Sequence, residues 1–180
     1  GEQEKLPDAL STQNDGLCFA IVTVLFLIGL AASLYLTWLF IEVHGPGGEN
    51  IDSFCALSEG VNCVTVANSK YSTQLGIPVS MYGVEYFVIG ILFLVMSRFS
   101  FWPWKDWQPF LLWLSMLSIP VIITLGIVAK FYIHSVCIMC LLVYAVNIAI
   151  LVFLIVGNRT RVGRMIITAP VSFFVEGFSN

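Results

Sequence analysis

Four stretches of this 180-residue chain are long and apolar enough to cross a lipid bilayer, which excludes almost every water-soluble fold. Residues 17–41, 107–129 and 135–157 contain no Asp, Glu, Lys or Arg, and residues 79–97 contain only Glu85. A hydrocarbon core of about 30 Å takes about 20 helical residues, so each stretch predicts one crossing. Lipid offers the backbone no hydrogen bonds, so segments of this length cross as helices. Composition agrees: 58% hydrophobic and 11% charged is far from the balance of a soluble domain. The chain therefore reads as an all-α, integral membrane four-helix transmembrane bundle over residues 17–157, with polar tails at 1–16 and 158–180.

Orientation follows from the cations, because Lys and Arg near membrane spans are retained on the cytoplasmic side. Lys5, Arg98, Lys105, Arg159, Arg161 and Arg164 fall in the tails and the second connection, against Lys70 and Lys130 on the other side. Both tails are thus expected in the cytoplasm. The first connection, residues 42–78, and the turn around His134 are expected on the extracytoplasmic side, where disulfides persist. The first span reads as retained rather than as a signal peptide, because its leader is net acidic and its apolar run continues to Ile41. The sequon at Asn158 then faces the cytoplasm and stays unglycosylated. No basic run suits a nucleic acid, and the expected surrounding is membrane lipid.

This orientation sorts the five cysteines. Cys18 stands alone at the cytoplasmic end of the first span and reads as a small packing residue. Cys55, Cys63, Cys137 and Cys140 share the oxidising side. Two readings of Cys55 and Cys63 stand: a structural staple, or one half of a redox relay. Cys137 and Cys140 form a Cys-x-x-Cys pair at the start of the last span, and a disulfide closing so small a loop contributes little chain-entropy stabilisation. Its usual use is thiol exchange. Ser135 is the expected N-cap, placing Cys137 in the first helical turn, where free N–H groups and the helix dipole favour a thiolate.

Cys140 lies one turn deeper, roughly 4.5 Å at 1.5 Å per residue, and Tyr144 follows on the same stripe. A thiol donor reaching Cys137 from water and an acceptor in the membrane beside Cys140 and Tyr144 would be joined by one disulfide. A quinone is the membrane-soluble acceptor with suitable chemistry, and Tyr144 either bonds its carbonyl or serves as an interfacial packing residue. In this relay Cys63, on a mobile segment hinged at residues 44–50, attacks Cys137, while Cys55 faces an external thiol. A zinc site from the four thiols is the rival; Cys-x7-Cys is a poor zinc spacing, and no metal is expected. Glu85 either relays protons, snorkels to the interface or pairs with Lys130. Asn147 reads as a hydrogen-bonding residue between helices.

With these residues placed, the chain resembles the vitamin K epoxide reductase family over residues 17–157. The resemblance rests on "CALSEGVNC", the serine of "ANSKYS", "GIPVSMYG" and "CIMCLLVYAVN". It implies that Cys140 reduces the quinone with Cys137 as its partner, that Cys63 carries electrons to Cys137, and that Cys55 meets the external donor. It implies further that Tyr144 bonds the quinone and that Ser69 is the serine accompanying the loop. Vertebrate members place a quinone-binding asparagine where this chain has Val79, which offers no donor; Ser80 is the candidate substitute. The resemblance is to bacterial members, so the expected setting is a bacterial inner membrane. The expected partners are a separate thioredoxin-like (DsbA-like) periplasmic thiol protein and ubiquinone or menaquinone. Quinone epoxide reduction by the same cysteines, and a scaffold with two inert disulfides, are the alternatives.

Overall fold

The computed structural model describes residues 5–46, 55, 61–99 and 107–157. Lys105, Asn158, the tail arginines and the hinge positions 47–50 lie outside the described residues. The elements in chain order are α1 (Lys5–His44), α2 (Cys63–Ala67), β1 (Thr73–Gln74), β2 (Ile77–Pro78), α3 (Val79–Met96), α4 (Trp107–Val128) with a π-helical turn at Ala129–Ile133, and α5 (Ile138–Gly157). Among the described residues, four segments are long and apolar enough to cross a membrane: Gly16–His44, Val79–Met96, Gln108–Ile133 and Ile138–Val156.

Three details depart from the sequence reading. α1 begins at Lys5, so the helix extends back into the polar tail expected at 1–16. Among the described residues, the helices are joined by an antiparallel hairpin that pairs Thr73 with Pro78 and Gln74 with Ile77. Its turn residues Leu75 and Gly76 have φ of 54° and 81°, the two positive values that a two-residue type I′ turn needs. The last helix begins at Ile138, three residues later than the apolar run.

Helices α1 and α3 approach closely through two reciprocal notches. A Cβ on Gly29 would collide with the Phe87 ring, and one on Gly90 with the Phe26 ring. Each ring fills the space that a glycine on the facing helix leaves, and the two rings meet edge to face at 5.8 Å. Around them Val22, Leu94, Leu111, Leu112, Val146, Ile150 and Leu154 form one buried cluster. A second cluster, Leu39, Val43, Cys55, Cys63 and Cys137, closes the opposite end of the bundle. Most remaining Leu, Ile and Val side chains point outward, as lipid-facing helices require.

Candidate active site

Asn62 begins the site. Its side chain caps α2, accepting from the backbone N–H of Val64 (2.9 Å) and Thr65 (3.3 Å), so Cys63 becomes the first residue of that helix. Its own N–H donates to the Val136 carbonyl at 3.2 Å, and the Ser135 hydroxyl donates to its carbonyl at 3.5 Å. A parallel bridge between Val61 and Val136 completes the join. The loop carrying Cys63 is thereby tied to the segment preceding α5. Cys63 is 1% exposed on a capped helix, while hinge positions 47–50, on which the expected mobility of its segment rests, lie outside the described residues.

The same join moves the start of α5. Residues 135 and 136 are held extended, so Ser135 does not cap the helix; Cys137 occupies that position instead. Its carbonyl accepts the first helical bond, from Leu141 N–H at 3.0 Å, and its Sγ accepts the Cys140 N–H at 3.3 Å. The hydrogen bond from the Cys140 side chain, with the backbone N–H groups of Cys140 and Met139, holds the Cys137 thiol below its ordinary pKa against the opposing effect of burial.

Cys55 and Cys63 form a disulfide with Cα atoms 5.5 Å apart, and Cys137 and Cys140 are free thiols. The Sγ atoms of Cys137 and Cys63 are 2.9 Å apart, although the residues are 74 positions apart in sequence. Cys55, Cys63 and Cys137 place their sulfurs within 4.8 Å of one another. In this oxidation state two of those sulfurs are bonded to each other, so the cluster offers one thiolate. Cys55 is fully buried, and in this form it is not presented to an aqueous partner as expected.

Beneath the sulfurs lies a cavity of about 870 Å³ lined mainly by apolar side chains. Cys63, Ser69, Val79, Ser80, Cys137, Cys140 and Tyr144 all line it, so every proposed site residue except Cys55 converges there. Ser69 shapes the rim: its hydroxyl donates to the Val66 carbonyl at 2.8 Å, and its carbonyl accepts from the Ser72 N–H and hydroxyl. Val79 begins α3 with its N–H on the Ser72 carbonyl at 2.8 Å. The buried Ser80 hydroxyl has no hydrogen-bond partner, and the Tyr144 hydroxyl makes none among the described residues. A buried hydroxyl such as that of Ser80 costs stability unless something bonds it.

Glu85 is exposed on α3 and is not among the residues lining the cavity, so its carboxylate is not on the cavity wall where a proton relay would need it. Cys18 packs against the first buried cluster, as expected. Asn147 bonds between helices, also as expected, within a larger network that sequence reading missed. Tyr86 donates to its Oδ1 at 2.7 Å, its Nδ2 donates to Ser118, and Ser115 meets Tyr86 at 3.1 Å. The available signal was the alignment of Asn147 with Tyr144 and Cys140 on α5. Asn62 was missed as well, although an Asn immediately before a short apolar run is an N-cap signature.

The model of the Vitamin K epoxide reductase family matches residues 20–155, three quarters of the chain and all four spans. The chain belongs to this family. It is also similar to mouse vitamin K epoxide reductase complex subunit 1, with 27% identity over 134 residues that cover 71% of this chain and 82% of the mouse protein. As a member of the vitamin K epoxide reductase family it is a multi-pass membrane oxidoreductase whose general role is quinone-linked thiol or epoxide chemistry.

Proposed function

We propose that this protein forms disulfides: it takes two electrons from a thioredoxin-like (DsbA-like) periplasmic protein and delivers them to ubiquinone or menaquinone in a bacterial inner membrane. The observation that carries this reading is the 2.9 Å approach of Cys137 to Cys63, with the next cysteine, Cys140, on the cavity wall. The partner's thiolate attacks Cys55 of the Cys55–Cys63 disulfide, and the partner's second thiolate resolves that link, leaving Cys55 and Cys63 reduced. Cys63 then attacks Cys137 of an oxidised Cys137–Cys140 pair and frees Cys140, and Cys55 resolves the Cys63–Cys137 link. The reduced inner pair gives two electrons and two protons to the quinone and closes to a disulfide again.

This scheme assigns motion differently from the sequence reading. Cys63 is tied to α5 through Asn62, so Cys55, buried as the structure stands, is the residue that must move to meet the partner. An apolar cavity with unspent hydroxyl donors at Ser80 and Tyr144 suits an apolar ring bearing carbonyl acceptors. Epoxide reduction would use the same cysteines; the likeness to the mouse protein favours it, while Val79 supplies no donor to an epoxide oxygen. The deciding experiment supplies purified protein with a reduced thioredoxin-like protein and a short-chain quinone. Equimolar consumption of dithiol and quinone is expected; no consumption of the quinone, with turnover only when its epoxide is supplied in a parallel assay, would overturn the reading.

Two further outcomes are expected. Tyr144→Phe removes one hydroxyl and almost no volume, and a neutral hydrogen bond is worth roughly 0.5–1.5 kcal/mol, so apparent quinone affinity should fall about two- to twelve-fold with thiol exchange intact. Unchanged quinone kinetics would leave Tyr144 a packing residue. Leu75, 97% exposed at the hairpin tip, reports orientation: a Leu75→Cys variant should react with an impermeant maleimide from the periplasmic side of sealed vesicles. Labelling from the cytoplasmic side instead would reverse the topology.

A further inference from the structure

The network around Asn147 has a direction that hydrogen-bond accounting determines. The Ser118 hydroxyl donates to the Ser115 backbone carbonyl at 2.6 Å, and that carbonyl can only accept. Ser118 Oγ has spent its proton and so accepts from Asn147, which makes the facing amide atom Nδ2. Oδ1 is thereby turned to Tyr86, Tyr86 donates to it, and Ser115 must donate to Tyr86. The amide orientation, usually an assignment of convenience, here follows from the bond of the Ser118 hydroxyl to the Ser115 carbonyl.

Counting the protons leaves one over. Asn147 has two Nδ2–H groups, Ser118 takes one, and no described residue takes the other. Asn147 is 3% exposed and lines the cavity. It sits seven residues beyond Cys140, about 10.5 Å along the α5 axis, and three beyond Tyr144 on the same face. The end of the cavity remote from the cysteines therefore holds a rigid amide donor with nothing to bond.

We infer that the second Nδ2–H of Asn147, held in place by Tyr86, Ser115 and Ser118, forms a second polar subsite that donates to the quinone carbonyl remote from Cys140. This rests on the quinone reading and deepens it. A six-membered ring with oxygens at opposite ends bridges the span between Cys140 and Asn147. The preferred ligand class is then a para-quinone, with carbonyls at opposite ends of the ring, rather than an ortho-quinone. Ser80 and Tyr144 remain for the oxygen nearer the cysteines.

Infrared difference spectroscopy of a carbonyl-labelled short-chain benzoquinone, bound to protein with its inner pair oxidised, tests this directly. The wild type should show both carbonyl bands shifted from their free positions. Asn147→Asp, in its protonated form, still accepts from Tyr86 and donates its one O–H to Ser118, so the network survives and only the spare donor is lost. One band should return to the free position and affinity should fall about two- to twelve-fold. Asn147→Leu should give the same band change with reduced thermal stability. Should either variant fail to fold, the other supplies the measurement, and [15N]asparagine-labelled wild type supplies a third: the Asn147 side-chain amide signal should shift on quinone binding. Bands unchanged in a folded variant, or an unmoved amide signal, would overturn the subsite. A wild type with no bound-quinone bands at all would instead remove the quinone reading beneath it.

Discussion

Replacing Cys140 by Ala should abolish quinone reduction, with a rate loss on the order of 10³-fold or more, as follows from deleting a reacting nucleophile. Both inner-pair cysteines line the cavity, and of the two it is Cys137 whose Sγ also meets Cys63, at 2.9 Å, which leaves Cys140 for the quinone. The variant keeps the Cys55–Cys63 disulfide and the Cys63–Cys137 approach, so a reduced partner should still exchange once with the loop pair. A single turnover of partner thiol without quinone consumption is the expected signature. Quinone reduction continuing at the wild-type rate would show that the inner pair is misassigned.

The second large effect concerns the order of the relay. A Cys55→Ala variant lacks the group that resolves a Cys63–Cys137 link, and its Cys63 sits within exchange distance of Cys137. On oxidation it should accumulate that cross-link, with Cys140 left as a thiol. Mass spectrometry of an alkylated digest should recover the joined Cys63 and Cys137 peptides as the main species in the variant and as a minor one in wild type. A digest in which Cys63 carries the alkyl group while Cys137 and Cys140 remain joined would break the electron path at its middle step. The loop pair would then be a staple, or would react only with outside thiols.

Much of this site is written in local sequence. Hydropathy over about 20 residues is a property of neighbours in the chain, so all four spans were legible. The spacing of Cys137, Cys140 and Tyr144 put them on one helical stripe, and the structure does place all three on one cavity. Glu85 shows the limit of that kind of reading. Its depth in the span could be counted, but whether it faced lipid or cavity depended on how α3 rotates against α1, which the notches at Gly29 and Gly90 set.

What sequence alone determined is therefore the four spans, the membrane setting and the pairing of a Cys-x-x-Cys with a second cysteine pair, because periodicity and composition act between residues a few positions apart. Tertiary structure decided which of the sulfurs of Cys55, Cys63, Cys137 and Cys140 meet and which donors remain free among the described residues. Ser135 was a sound local N-cap, but the Asn62 N–H bonded the Val136 carbonyl and held the chain extended, so the cap passed to Cys137. Cys55 was expected at the surface and is buried, because Leu39 and Val43 at the end of α1 form an apolar seat with Cys63 and Cys137. Tyr86 and Asn147 are 61 residues apart, and nothing in either segment names the other. Each of these outcomes depends on a donor or an apolar surface brought from a distant part of the chain, and such pairings exist only once the helices have packed.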